Sequence, residues 1–255
     1  MPHNVPIDVA RLLAETKLAS VEYLASIHST QEYAHKLATD VETPWLIVAE
    51  VQTAGRGRGS NIWWTGEGSL AFSLLIDPVA HGLSRQPVPQ ASLAAGIALI
   101  DAVSDWLGDT IVGLHWPNDV FAAGRKLAGI LIDVLPEGRH IVGVGLNVNN
   151  TFEAAPEEVR VRATSLVELT GRTLDRTDIL LSFLRKFDRT LSQLASDPLT
   201  LGRRFQEACL QVGHDLTIEL ANRRTTGRCV GIAPDGALLL DTLNGRQTFY
   251  SGVLL

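Results

Sequence analysis

Two clusters of residues in this sequence have the types and spacing to do chemistry on anions. The first is Gly55-Arg56-Gly57-Arg58-Gly59-Ser60. Its glycines let backbone N–H groups approach a ligand, and its two guanidiniums offer planar forks matched to carboxylate or phosphate oxygens. It is not a Walker A loop, which needs Gly-x-x-x-x-Gly-Lys-Ser/Thr, and Ser60 stands where a Rossmann loop has its third glycine. The second cluster is His115-Trp116-Pro117-Asn118-Asp119, followed by Gly124-Arg125-Lys126-Leu127-Ala128-Gly129-Ile130-Leu131. Pro117 denies a sheet one donor, so the strand should break there and expose Asn118 and Asp119 at its end. Lys126 opens the next strand, and Gly129 has no side chain to keep a ligand off the backbone. Taken singly, these are a solvated turn, an Asn-Asp turn and a surface lysine. Together they place three cations near one carboxamide and one carboxylate.

The elements that must position these residues follow from hydrophobic pattern and turn signals. Ile7 to Ala14 reads as a short helix, Ser20 to Ile27 as a strand, and Gln31 to Ala38 as a helix capped by a hydroxyl of Ser29 or Thr30. Trp45 to Val51 is a buried strand that delivers the chain into 54–60, which the pattern predicts to be entirely loop. Apolar positions from Leu93 to Leu107 predict an amphipathic helix after Pro89. Strands are expected at Ser69 to Ile76, Ile111 to His115, Leu127 to Leu135 and His140 to Val148, with turns at Ala123-Gly124-Arg125 and Glu137-Gly138. Helices follow at Ser165 to Leu169, Ile179 to Leu194 and Leu199 to Gln211. Beyond Gly213 the pattern changes to short strands, Asp215 to Leu220, Gly227 to Ile232, Ala237 to Asp241 and Gln247 to Tyr250. The expectation is an α+β fold: a mixed β-sheet packed with helices over 1–211, and a small C-terminal β-barrel over 212–255. A barrel of that size tends to need docking against a larger partner.

Composition narrows the function classes. With 255 residues, 45% hydrophobic and 20% charged, the chain is an ordinary globular protein rather than a disordered, collagenous or coiled-coil one. The 22 Lys and Arg against 28 Asp and Glu leave a net charge of -6, which disfavours sequence-independent attraction to a nucleic-acid backbone or an anionic bilayer. Any anion site must therefore be local. Cys209 and Cys229 are too far apart for a CxxC motif and too few for a disulfide framework, which fits the cytoplasm. Neither a leader pattern nor a spanning apolar run is present, so the reading is of a protein neither exported nor membrane-spanning.

The sequence resembles the biotin protein ligases. The marks appear in order: Ser29-Thr30, Gln52 before Ala54-Gly55-Arg56-Gly57-Arg58, Trp63, Ser73, Trp116-Pro117-Asn118-Asp119, Lys126-Leu127-Ala128-Gly129-Ile130-Leu131, and Gly143-Val144-Gly145-Leu146-Asn147. The later stretches Ala163-Thr164-Ser165-Leu166 and 231–238 are similar to the family's catalytic domain end and its SH3-like C-terminal barrel. The resemblance implies a carbon–nitrogen ligase. Biotin and ATP, with Mg²⁺, would give biotinyl-5'-AMP and pyrophosphate, and biotin would then pass to a lysine of a biotin carboxyl carrier domain of acetyl-CoA carboxylase or another biotin-dependent carboxylase. It further implies that Lys126, Arg56 and Arg58 are catalytic, with the glycine-rich loop closing as a lid. Ser29, Thr30, Gln52, Gly55, Arg56, Lys126 and Gly129 would bind biotin. Arg58, Trp63, Asn118, Asp119 and Asn147 would serve the nucleotide, and Asp119 would help to hold Mg²⁺. Trp63 and Trp64 equally suit core aromatics, Ser29 and Thr30 suit a plain helix cap, and Ser73 is the least determined of the set.

Two departures stand out. His115 replaces the lysine common in the family, so one cation becomes a group mostly neutral at pH 7, and Gln31 stands where asparagine is common. Repressor-type relatives carry an extra helix-turn-helix domain; the short stretch before the motifs here cannot make one, so DNA binding is not expected. The resemblance leaves pairing of two copies through a sheet edge open. Three alternatives compete: a lipoate or octanoate transferase on the related fold, an RNA-binding module using Arg56 and Arg58, and a non-catalytic biotin sensor. The arginine loop disfavours the first, and the acidic balance without interleaved aromatics disfavours the second. Label transfer to a carrier separates a ligase from a sensor.

Overall fold

The computed structural model of the chain describes residues 5–85, 90–221 and 223–255. Short polar side chains start five of the helices among the described residues, Ser29 doing so for the helix where the sequence predicts a hydroxyl cap. Asp8, Ser29, Ser165, Asp175 and Asp197 each accept a hydrogen bond from a backbone N–H two or three residues on, satisfying donors that a helix leaves free. In chain order the first elements are α1 (Val9–Glu15), β1 (Ser20–Ile27), α2 (Thr30–Leu37), β2 (Trp45–Gln52), β3 (Gly55–Arg56), β4 (Ile62–Trp63) and β5 (Leu70–Ile76). There follow α3 (Ala91–Leu107), β6 (Val112–His115), β7 (Asp119–Ala122), β8 (Arg125–Val134) and β9 (His140–Leu146). Next come α4 (Glu157–Arg162), α5 (Leu166–Thr170), α6 (Arg176–Ser196) and α7 (Pro198–Ala208). The chain closes with β10 (Asp215–Leu220), β11 (Arg223–Ile232), β12 (Leu238–Thr242), β13 (Gly245–Phe249) and β14 (Val253–Leu254).

Seven strands form the main sheet in the order β1-β2-β5-β9-β8-β7-β6. Only β1 and β2 pair in parallel, joined by α2; every other neighbouring pair is antiparallel. Period-two alternation gives β2 two buried faces. Leu46 and Val48 join the core shared with α3 and α6, while Trp45 and Ile47 pack with Ala34 and Ala38 on the α2 side. The mixed sheet with helices is as expected.

The tail is a five-stranded antiparallel sheet, β13-β12-β11-β10-β14. Its turns hold Gly236 at φ +89° and Gly245 at φ +92°, where a side chain would be strained. Among the described residues no ladder joins β13 to β14, so the pairings trace a small antiparallel β unit. This unit does not stand by itself. Ile218, Ile232, Leu238 and Leu240 share one core with Leu93 and Ile97 of α3, Leu114 of β6 and Trp116.

Several expectations are corrected. Residues 54–60 are not all loop, because Gly55–Arg56 pairs with Ile62–Trp63 as a small hairpin. The break at Pro117 does not leave Asn118 and Asp119 at a free strand end; the chain turns and Asp119 begins β7, opposite His115. Helix α3 is buried on nearly every side from Ala91 to Leu99, since it is enclosed by the main core on one flank and the C-terminal sheet on the other. The start that Pro89 would set lies outside the described residues. Helix α7 ends at Ala208, not Gln211. Cys209 turns extended and bridges to Leu114 at the edge of the main sheet. Strand β14 and helix α4 had no signal in the hydrophobic pattern.

A buried ion pair ties the layers together. Arg176, 3% exposed at the start of α6, sends Nη2 to Glu50 Oε1 at 2.7 Å and Nη1 to Glu50 Oε2 at 2.8 Å, and also reaches the carbonyls of Ser69 and Val5. Burial alone would raise the Glu50 carboxyl, but its hydrogen bonds from Arg176 and Tyr23 hold it below the usual carboxylate range. Arg176→Met is expected to lower the unfolding free energy by about 1–3 kcal/mol, because it leaves the half-buried Glu50 carboxylate and the carbonyls of Ser69 and Val5 without this partner; a loss under about 0.5 kcal/mol in a urea titration would contradict this. A second expectation concerns pH. Burial pushes the imidazoles of His81, His115 and His140 below the ordinary value of 6.5. The unfolded chain then takes up protons first as pH falls through that value, so stability is full above it and declines below it. The melting temperature should drop from pH 7 to pH 5, and His140→Asn should flatten that slope; an unchanged slope argues against it.

Candidate functional site

A cavity of about 370 Å³ opens where the N-terminus of α2, the β3–β4 hairpin, the β6–β7 turn and strand β8 meet. Its lining includes Ser29, Thr30, Gln52, Arg56, Arg58, Trp63, Ser73, Asn118, Asp119, Lys126 and Gly129, so eleven of the expected residues face one space. They arrive from widely separated parts of the chain because the sheet order puts β5 and β9 between β2 and β8.

One wall is a buried hydrogen-bond network. Gln52 Oε1 accepts from Thr30 N at 2.8 Å and from Thr30 Oγ1 at 3.1 Å. Ser73 Oγ lies 2.9 Å from Thr30 Oγ1 and 3.0 Å from Gln31 Oε1, and its one proton serves one acceptor at a time. Ser29, Thr30, Gln31 and Ser73 are all buried. Ser29 both lines the cavity and caps α2, so its two sequence readings coexist. Ser73, uncertain from the sequence, belongs to the site.

The charges lie around this network. Lys126 Nζ sits 2.7 Å from Asp119 Oδ2 and 5.8 Å from the centre of the Trp63 ring. Asp119 pairs in register with Gly129, which holds the two strands and this ion pair in place. Arg56 Nη1 reaches Asp133 Oδ2 at 3.4 Å, an oxygen that also receives Gln31 Nε2 at 3.0 Å and His35 Nε2 at 2.9 Å. Arg58 Nη2 donates to the carbonyl of Gly252 at 2.8 Å. Asn118 Nδ2 donates to Ile130 O at 2.7 Å, so this carboxamide holds the turn against β8. His115 stacks on Phe121 with ring centres 4.3 Å apart. Burial pushes its imidazole down, opposed by Asp119 and aided by Lys126, so it contributes no cation at neutral pH.

Trp63 forms the floor. A Cβ on Gly145 would stand 2.2 Å from Trp63 Cε2, and one on Gly129 would stand 3.2 Å from Trp63 Cζ3. These two glycines face each other across β8 and β9 and make room for the indole. Trp64, its neighbour, is half-buried and packs on Phe152 with ring centres 5.9 Å apart, at the edge of a small apolar cluster.

Two expected residues are not brought to the lining. Gly55 lies behind it: a Cβ there would meet the Trp63 carbonyl oxygen at 2.6 Å and Gln52 Nε2 at 2.9 Å, so its bareness serves packing of the hairpin. Asn147 is buried beyond the strand end, where its Oδ1 accepts from Asn150 Nδ2 at 3.1 Å. Conversely, Asp133, Gly143 and Gly252 to Leu254 contribute without having been picked out as site residues. Asp133 shares the period-two face of Gly129 and Leu131, a signal available in the sequence; the C-terminal segment offered none.

For a divalent cation the fit is partial but real. Among the described residues no group of three or more His, Cys, Asp or Glu gathers as a metal cage. Asp119 Oδ1, however, is buried without a hydrogen-bond partner. One free carboxylate oxygen suits Mg²⁺, which is commonly held by one or two carboxylates and by substrate phosphates and water.

With this geometry established, comparison with known proteins places the chain. Residues 23–149 match the model of the Biotin/lipoate A/B protein ligase family, and residues 216–253 match the biotin protein ligase C terminal domain. A biotin–[acetyl-CoA-carboxylase] ligase from Mycobacterium tuberculosis is 36% identical over 81% of this chain and 76% of its own length. The bifunctional ligase/repressor BirA of Bacillus subtilis is 32% identical over 88% of this chain and 70% of its own. The structure of the biotin protein ligase from Aquifex aeolicus in complex with biotin and ATP superposes with a TM-score of 0.80 at 30% identity, covering 93% of this chain and 98% of that one. Both segments of the chain, its fold and its sequence thus agree: it belongs to the biotin protein ligases, within the biotin/lipoate A/B protein ligase family.

Proposed function

We propose that this protein is an ATP-dependent biotin protein ligase. It joins the biotin carboxylate to the α-phosphate of ATP, releasing pyrophosphate, and transfers the biotinyl group from AMP to a lysine amine of a biotin carboxyl carrier domain, that of acetyl-CoA carboxylase or another biotin-dependent carboxylase. The observation that carries this reading is the convergence of Lys126, Arg56 and Arg58 on the cavity that the Thr30–Gln52 network also lines.

The residues divide the work by chemistry. Thr30, Gln52, Ser29 and Ser73 supply donors and acceptors for the ureido group of biotin at the buried end, with the backbone of Gly129 alongside. Lys126 is the ammonium that meets the biotin carboxylate and an α-phosphate oxygen, offsetting the charge that builds as the anhydride bond forms. Arg56 and Arg58 leave Asp133 and the Gly252 carbonyl to fold over the two anions, so that the hairpin acts as a lid. Trp63 offers an aromatic face to the nucleotide, while Asn118 and Asp119 hold the turn beside the phosphates. Mg²⁺, when bound at Asp119 Oδ1, neutralises part of the polyphosphate charge. No helix among the described residues is long and apolar enough to cross a membrane. Cys209 and Cys229 are both free thiols, which supports a reducing compartment, the cytoplasm.

Incubation with ATP, Mg²⁺, labelled biotin and a carrier domain should transfer label to the carrier. Lys126→Met should cut the rate of biotin-dependent pyrophosphate exchange by about 10²-fold or more, the scale of losing one charge-stabilising donor. Binding of biotin without transfer would mark a sensor instead. For the lid, amide hydrogen exchange over 55–60 should slow on addition of biotin and ATP; equal rates with and without ligand would refute closure.

A further inference from the structure

Trp116, the first residue of the Trp116-Pro117-Asn118-Asp119 turn, is held from outside the catalytic sheet. Gln211 Oε1 accepts from Trp116 N at 2.9 Å, and Gln211 Nε2 donates to Trp116 O at 3.2 Å. One side-chain amide thereby completes both backbone hydrogen bonds of a residue 95 positions away, as a neighbouring strand would. The arrangement continues an edge pairing: Cys209 bridges to Leu114, and Leu210 N donates to Leu114 O at 3.0 Å. A Cβ on Gly113 would stand 2.5 Å from the Ala208 carbonyl oxygen, so the connector lies hard against β6. Gln211 is 4% exposed and Trp116 1% exposed, which leaves water no route to replace either bond. The Trp116 indole is fixed as well, donating from Nε1 to Gly236 O at 3.1 Å.

We propose that Gln211 is a positioning residue for the adenylation chemistry: its amide sets the backbone of Trp116 and so fixes where Asn118 and Asp119, and with Asp119 the Lys126 ammonium, stand in the cavity. Gln211 touches no reacting atom. It lies in the connector between the two family-matched segments, which end at 149 and begin again at 216. The clamp is directional, needing one acceptor and one donor on the same planar group. A glutamate of the same size fits the pattern only when protonated, because an ionised carboxylate accepts from Trp116 N but cannot donate to Trp116 O. This inference rests on the ligase reading of the site.

The test compares wild type, Gln211→Leu and Gln211→Glu in biotin-dependent exchange of labelled pyrophosphate into ATP between pH 5.5 and 8, with melting curves on the same samples. Gln211→Leu should lose tenfold or more in kcat, while KM for biotin rises by less than kcat falls, since the clamp touches Lys126 only through Asp119 and does not touch Thr30 and Gln52. Gln211→Glu should recover toward wild type as pH falls, while the ratio for Gln211→Leu stays flat. The ionisable groups around the clamp are Cys209, whose thiol reaches Gln211 Oε1 at 3.6 Å, its partner Cys229, His115, His214, and Asp119 with Lys126; all are common to the three proteins, and Gln211→Leu reports any pH dependence they bring by themselves. Amide exchange over 115–119 gives a readout independent of catalysis, and Gln211→Leu should lose protection there. The proposal is overturned if Gln211→Leu keeps kcat within twofold, if its loss matches the fraction unfolded, if the Gln211→Glu ratio does not change with pH, or if 115–119 keeps its protection. Absence of exchange by the wild type would overturn the ligase reading, and the protection of 115–119 would still decide the clamp.

Discussion

The ion pair between Lys126 and Asp119, 2.7 Å apart on adjacent strands, is the constraint around which the site is built. Joining a carboxylate to a polyphosphate means forcing like charges together, and a mobile lysine on the surface would meet them in the wrong place for most of the time. Here the strand register fixes both partners, and the carboxylate keeps the ammonium beside the Trp63 face when no substrate is present. The partly sheltered position strengthens its field relative to open water. Arg56 and Arg58 have the opposite character. They sit on a two-residue hairpin and are held by single contacts at its flanks. The site therefore combines one cation locked by strand register with two that each keep a single contact, an arrangement that suits a reaction whose substrates must first enter and then be enclosed.

Much of this was legible in the sequence, and the reasons are specific. Ser20–Ile27 was readable as a strand because apolar alternation is a local property, and Ser29 as a cap because the acceptor lies three residues from its donor. The glycine and arginine spacing singled out Arg56 and Arg58, and the cavity they share with Lys126 and Asp119 gathers the charges that the sequence picked out. What failed was longer in range. Strand β7 was hidden because Pro117 and the Asn-Asp pair look like an ending, and only pairing with β6 and β8 turns Asp119 into a beginning. Helix α3 read as amphipathic because its two flanks bury against different cores, one of which belongs to the C-terminal sheet. Asn147 sits within a site motif yet supports a strand end, a distinction that spacing alone does not make.

The two segments of the chain are one body in energetic terms. The C-terminal sheet completes its core with Leu93, Ile97, Leu114 and Trp116, so separating it would expose apolar surface on both sides. A sheet of five short strands has too little interior of its own to compensate. The same apolar joint carries the polar contacts through which the tail reaches the cavity: Gly236 to the Trp116 indole, and the Gly252 carbonyl to Arg58.

That last contact has an evolutionary consequence. Because the acceptor for Arg58 is a main-chain oxygen, the tether survives drift in the side chains around it. The position that supplies that oxygen is not free to drift: Gly252 holds φ +150°, and a Cβ there would stand 2.5 Å from Ile218 Cγ2. Arginine at 58 and glycine at 252 are therefore expected to be kept or lost as a couple, hitching the flap to the terminal strands across lineages.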